Sequence, residues 1–183
     1  MNNTTMMRFL LILGCFFLCP LSGRAQDYNS TPFQLGFFYP AQLHPQDYSV
    51  DGLRWDIIYG VNDDVKGIDF GIVNKSFGSA HGLELGAVDL VDKGFGGVQL
   101  GLFNDVKRDF KGVQLGLIAN VTGRSCEGFQ AAVFYNDAAE EMHGLQLGLI
   151  NHTGSLQGIQ LGLLNFNDDT RYLGFFPFIN AAF

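Results

Sequence analysis

Cysteine is scarce in this sequence, with three in 183 residues. Cys15 and Cys19 fall in an N-terminal apolar run, and only Cys126 stands in the remainder. An internal disulfide and a cysteine-rich metal site are therefore excluded there. Basic residues are also few, 11 against 18 acidic ones. That balance argues against nucleic acid as a partner, because its phosphates call for Lys and Arg. The histidines, His44, His81, His143 and His152, show no spacing that brings metal ligands together. Tryptophan occurs once, at Trp55. The one long apolar run, residues 9–21, is too short for a comfortable helical membrane span.

That run reads as the core of a cleaved export signal. A short polar stretch and Arg8 precede it, and Gly23 and Ala25 occupy the small-residue positions before a cut ahead of Gln26. Lipid attachment at Cys15, in "ILGC", is the alternative, although the apolar run continues past it. The expected division is thus a signal peptide over 1–25 and a single β-repeat domain over 26–183. The signal takes Arg8 and Arg24 with it and no acid, which leaves a net charge of about −9. An exported chain without disulfides fits the outer membrane or cell surface of a Gram-negative bacterium, with the periplasm as the alternative.

What the sequence has in abundance is glycine, 24 residues, set at regular intervals. Gly52, Gly67, Gly82, Gly97, Gly112, Gly128, Gly144, Gly158 and Gly174 each open a unit, 14 to 16 residues apart. "PFQLGFFY" (Pro32 to Tyr39) is an earlier, degenerate unit. Counting the opening glycine as position one, a unit reads Gly, apolar, polar, apolar, Gly, apolar, apolar, Asn. The alternation has period 2 and predicts a strand. Two glycines per unit and no 3.6-residue period exclude a helix. Positions two, four and six form one apolar face, and position three is most often Gln, as at Gln99, Gln114, Gln130, Gln146 and Gln160. Polar connectors rich in Asn and Asp link the strands.

A sheet with one apolar face must cover it and manage its edges. The expected fold is all-β: a repeat-built, up-and-down antiparallel barrel of about ten short strands, one per unit. A parallel β-solenoid, one coil per unit, is the alternative. It explains why all connectors look alike, but its second wall would have to come from connectors with few apolar residues. The final strand, "GFFPFINAAF", contains Pro177, which cannot donate a ladder bond and predicts a local irregularity.

The units Gly67–Asn74, Gly97–Asn104, Gly112–Asn120, Gly144–Asn151 and Gly158–Asn165, with the closing "PFIN…F", resemble the surface-repeat proteins of Gram-negative envelopes, of the Leptospira and Bacteroidetes type. Small symmetric barrels called β-flowers are similar in logic. The resemblance covers nearly the whole exported chain. It implies an envelope location and no established activity. Two units depart from it: Trp55 and Asp56 stand where Leu and Gly are expected, and Ala131 and Ala132 do so in the seventh unit.

No convergent catalytic set stands out. "GFGG" (Gly94 to Gly97) lacks the lysine of a phosphate loop, and Ser125 and Ser155 lack a nucleophile elbow. Asp69 and Glu84 share the third position one unit apart, where they face each other in neighbouring strands, with Arg54 beside them. Arg54, Trp55, Asp56, Asp69 and Glu84 are the candidate interaction residues. No enzyme activity, metal or cofactor is expected. The expected role is a non-enzymatic envelope protein, structural or interaction-bearing, with the outer membrane or lipid as partner. The alternative is a small barrel that carries an apolar ligand or forms a pore. The face that points inward separates the two.

Overall fold

The computed structural model describes residues 29–169 and 174–183; the expected signal, with Cys15 and Cys19, lies outside them. The strands are β1 (Ser30–Phe38), β2 (Ala41–Gln42), β3 (Ser49–Asn62), β4 (Val65–Ser76), β5 (Ala80–Leu85), β6 (Val88–Val91), β7 (Phe95–Val106), β8 (Phe110–Thr122), β9 (Ser125–Ala132), β10 (Tyr135–Leu147), β11 (Ile150–Asn167) and β12 (Phe175–Ala182). They form a parallel β-solenoid of about nine turns. The antiparallel barrel is incorrect. Each opening glycine lies directly over the next, from Gly52 on Gly67 through to Gly144 on Gly158, always between parallel strands.

The physical reason lies in the connectors. They supply a second wall, but it needs no large apolar side chains. Its inward positions are the Asn at position eight or nine and a small residue two places on: Asn104 and Val106, Asn120 and Thr122, Asn136 and Ala138. The coil then crosses back to the first wall two residues before the next opening glycine, where Phe95, Phe110, Cys126, Met142 and Leu156 stack into a narrow apolar column. Phe95 and Phe110 lie ring on ring at 5.5 Å.

Parallel stacking sets each side chain over its own kind. The third-position glutamines form a ladder: Gln114 Nε2 donates to Gln99 Oε1 at 2.9 Å, Gln130 to Gln114 at 2.9 Å and Gln146 to Gln130 at 2.9 Å. The asparagines form a second ladder that donates in the opposite direction along the chain, Asn104 to Asn120 at 2.7 Å and Asn120 to Asn136 at 2.9 Å. Each Asn amide also donates to the position-four carbonyl of the next coil, as Asn120 does to Ala131 at 2.8 Å. A buried amide costs little when both its donors and its acceptor are used.

The opening glycine is dictated by geometry. Gly112 has φ +133°, and a Cβ there would lie 2.0 Å from the Gly97 carbonyl oxygen. The second glycine makes room for the asparagine, since a Cβ on Gly116 would meet Asn120 Oδ1 at 2.6 Å. In the Trp55 unit this pair is reversed. Asp56 stands in register with Gly71, and Gly60 with Asn74, so the carboxyl enters from the other side of the same slot.

Both ends of the stack are finished by antiparallel strands, β2 on β1 and β12 on β11. The irregularity predicted at Pro177 is present: the register shifts between Gly162 and Leu164, opposite Phe178 and Pro177, and Phe178 adopts φ 67°.

Candidate interaction surface

The face read from the sequence as apolar points outward. Within a unit, positions two, four, six and seven face solvent along the far half of the first wall and round the corner into the second. Leu102, Leu117, Leu149 and Leu163 all lie at position six, and Leu117 is 56% exposed. Gln114, three residues earlier, is wholly buried. The outward residues stack coil on coil into one ridge that runs the length of the solenoid, about 40 Å at the spacing of neighbouring strands. No charged residue occupies these four positions in any described unit from Gly52 to Leu164. Charge gathers on the opposite side of the coil, in pairs such as Lys111–Glu127 at 2.9 Å and Arg124 between Asp109 and Glu140.

Each end of the ridge opens into a shallow apolar groove. One, of about 520 Å³, is lined by Leu35, Phe37, Leu43, Trp55 and Ile57. The other, of about 480 Å³, is lined by Val133, Leu147, Leu149, Leu161, Leu163 and Phe178. Monomeric proteins rarely expose a contiguous apolar patch beyond a few hundred Å². Twenty-seven large apolar side chains are exposed among the described residues. Twenty of them stand at the ridge positions, and at roughly 80 Å² each they amount to about 1,600 Å², well above that ordinary limit.

The candidate residues of the sequence separate into two places. Trp55 belongs to the ridge, 56% exposed in the groove at the first end. Arg54, Asp56, Asp69 and Glu84 are sealed in the core. Arg54 and Asp69 form a two-pronged pair: Arg54 Nε donates to Asp69 Oδ1 at 2.7 Å, and its Nη2 donates to Oδ2. Arg54 Nη1 donates to the Lys75 carbonyl at 2.8 Å. Burial opposes the Arg54 charge, but the Asp69 carboxylate outweighs it and raises the guanidinium's pKa. Asp56 approaches the same guanidinium only to 4.0 Å, and burial pushes its carboxyl up to about 6. Glu84 stacks beside Asp69; burial, and then the Asp69 charge, raise it well above the usual carboxylate range.

A fifth member of this cluster, Asp89, escaped the sequence reading. It occupies the asparagine position of its unit and accepts from Asn74 Nδ2 at 2.8 Å. The signal was present, as the one acid in a column of asparagines. Of the histidines, His152 is the one held between carboxylates, with Nδ1 2.7 Å from Asp137 and Nε2 3.3 Å from Asp168. Among the described residues no three His, Cys, Asp or Glu side chains are placed to hold a metal ion. The ladders fill the space between the walls, so the lumen a barrel would offer to a ligand or an ion is replaced by packed side chains. No protein family, no curated protein and no solved structure matches this chain.

Proposed function

We propose that the protein is a non-enzymatic, exported envelope protein that lies on a lipid surface through its apolar ridge. The observation that carries this reading is the inverted distribution of its side chains: amides and carboxyls inside, uncharged aliphatic and aromatic groups outside on one side, and charge confined to the other. That is the geometry of an amphipathic interfacial element, built from stacked strands in place of a helix. The backbone of its inner coils needs nothing from the lipid, because coil-to-coil bonds satisfy those strands.

A second copy of the chain fits less well. The ridge wraps a corner of the coil, whereas a flat partner covers one wall, and a standard interface takes about 800 Å² from each side. Each half-exposed Leu or Ile offers about 1–2 kcal/mol on immersion, so a few coils in contact suffice for firm attachment. The N-terminal segment supplies the export expected of an envelope protein. Non-enzymatic action is supported by the closure of the dense ionisable cluster inside the core, the one such cluster among the described residues.

The test is flotation of the chain from Gln26 onward with neutral phosphatidylcholine vesicles, with Trp55 as the built-in reporter. Co-flotation with a blue shift of Trp55 emission is expected. A chain that stays in the aqueous fraction as a monomer, with unchanged emission, refutes the lipid reading. A chain that forms a discrete dimer and ignores vesicles replaces lipid with a second copy.

A further inference from the structure

The two ladders have fixed directions, and both fail at the N-terminal coils. In the asparagine ladder every amide nitrogen also donates to a backbone carbonyl: Asn74 to Leu85 at 3.2 Å, Asn104 to Leu115 at 3.0 Å, Asn136 to Leu147 at 2.8 Å. The carbonyls fix which end of each amide faces the following coil, so no amide can be turned over to repair a break. Asn74 donates to Asp89 Oδ1, and Asn104 donates onward to Asn120. Between them, Asp89 and Asn104 are register partners with no bond joining them.

Asp89 Oδ2 and Asn104 Oδ1 are both shut off from solvent and without a partner. A Cβ on Gly101 would lie 2.8 Å from the first and 2.5 Å from the second, so both oxygens border one small space. The glutamine ladder stops in the same way. Gln99 Nε2 donates to Glu84 Oε2 at 2.9 Å, while Glu84 Oε1 has no partner on the side of Asp69.

We propose that the N-terminal coils contain a buried proton-binding site in which Asp89 and Glu84 are neutral carboxylic acids, each supplying an O–H where other coils supply an amide N–H. The Asp89 Oδ2 proton is donated to Asn104 Oδ1, and the Glu84 Oε1 proton to the Asp69 carboxylate that Arg54 holds. Both ladders then run unbroken.

The charge in the cluster agrees. The groups facing one another are Arg54 and Asp56 from β3, Asp69 from β4, Glu84 from β5 and Asp89 from β6, with only the neutral Gln99 and Asn104 beyond them on β7. One guanidinium serves four carboxyls, and Asp69 takes it. Ionised Glu84 and Asp89 would be uncompensated buried charges, which proteins avoid by holding a proton. A metal cation is a poor occupant. The void beside Asp69 and Glu84, also lined by Val65, Ala80, His81 and Phe95, holds about 10 Å³, at the lower limit for a single water, and among the described residues no three ligating side chains converge. Burial raises Asp89 to about 7 and Glu84 in the same direction.

A carboxyl whose folded pKa is raised gives stability that is complete below its unfolded value, near 4, and is lost as pH rises through the folded value. For Asp89 the window runs from about pH 4 to 7, with Glu84 prolonging the loss upward. The site therefore ties the first coils to acid.

The test uses the whole exported chain, by infrared titration and by urea unfolding from pH 5 to 9. The wild type is expected to show a protonated-carboxyl carbonyl band at pH 7 that disappears as pH rises, together with a falling unfolding midpoint. The Glu84→Gln/Asp89→Asn variant supplies the amides directly. It is expected to lose the band at pH 7 and to keep only the smaller pH dependence that Asp56, pushed up to about 6, and His152 contribute. A wild type with no protonated-carboxyl band at pH 6 overturns the proposal, whether or not the variant folds. So does a variant that keeps the full pH slope, or a wild-type midpoint at pH 8 that rises with added sodium, potassium or calcium, which would mark a cation in place of the proton.

Discussion

Asn120 and Leu117 lie three residues apart, and the structure assigns them roles opposite to those their chemistry suggests. Asn120 is fully buried. Its Nδ2 donates to the Ala131 carbonyl at 2.8 Å and to Asn136 Oδ1 at 2.9 Å, and its Oδ1 accepts from Asn104 at 2.7 Å. Asn120→Leu keeps the branching and number of side-chain heavy atoms and is more apolar, though bulkier, which in an ordinary core is tolerable. Here it strips one bond from Asn104 and leaves Asn136 Oδ1 and the Ala131 carbonyl without this donor. At about 1–3 kcal/mol for each buried group left unpaired, the loss is about 3–6 kcal/mol. That is a large share of the 5–15 kcal/mol typical of a whole domain. Leu117→Asn makes the reverse exchange at a 56% exposed position, and a surface change away from special features costs within about 0.5 kcal/mol. Urea unfolding followed by circular dichroism, in lipid-free buffer, ranks the two. The expected order is Asn120→Leu far below wild type and Leu117→Asn beside it. If Asn120→Leu is neutral and Leu117→Asn destabilises by several kcal/mol, the apolar face is the core and the inside-out reading is wrong.

Gly112→Ala places a methyl group against the Gly97 carbonyl in a backbone region closed to side chains, and is expected to cost at least about 2–3 kcal/mol in the same assay. On the ridge, Leu102→Asp/Leu149→Asp/Leu163→Asp is expected to abolish vesicle flotation while leaving the strand signal by circular dichroism unchanged, because all three side chains face solvent. His152 is partly desolvated, which lowers its pKa, but the bond to Asp137 and the charges of Asp137 and Asp168 outweigh this and raise it. Its contribution to stability is therefore complete below its ordinary value and fades as pH rises through the folded one. Proton NMR of the ring is expected to report a raised pKa that falls back in Asp137→Asn.

The repeat, its strand character and the fifteen-residue period were legible in the glycines alone. The contact between Asp69 and Glu84 was legible as one option, since equal positions in adjacent units meet in a parallel stack and not in an antiparallel barrel. Which face is inside was not legible, because an alternating strand has the same period whichever side is buried. The expectation that a second wall must be apolar favoured a barrel, and it fails here because stacked amides satisfy one another. One clue was available. A solvated face carries assorted polar residues, whereas this one repeats Gln99, Gln114, Gln130, Gln146 and Gln160, with Asn104, Asn120, Asn136 and Asn151 beside it. A column of one amide type is what like-over-like bonding demands. The second wall was missed for a related reason: Asn136 and Ala138 do not resemble core residues until a neighbouring coil lies over them. The reversed pair Asp56 and Gly60 was beyond sequence reasoning, since it matters only once Gly71 and Asn74 are known to stack on it.

A polar interior suits the proposed placement between water and lipid. In a conventional fold, burial of apolar surface drives folding, and that drive changes when the solvent outside becomes hydrocarbon. Here the ridge is exposed to solvent in the folded chain, so it adds little to folding in water. The coils are held by backbone bonds, two amide ladders and the narrow Phe95–Phe110–Met142 column, none of which involves the ridge. The ridge is thereby free to be as apolar as the proposed lipid attachment requires, without strain on the fold. The same design explains the location of the acids. A sealed stack has no water with which to share a charge, so a carboxyl in a ladder position either finds a cation, as Asp69 finds Arg54, or keeps its proton, as we infer for Glu84 and Asp89.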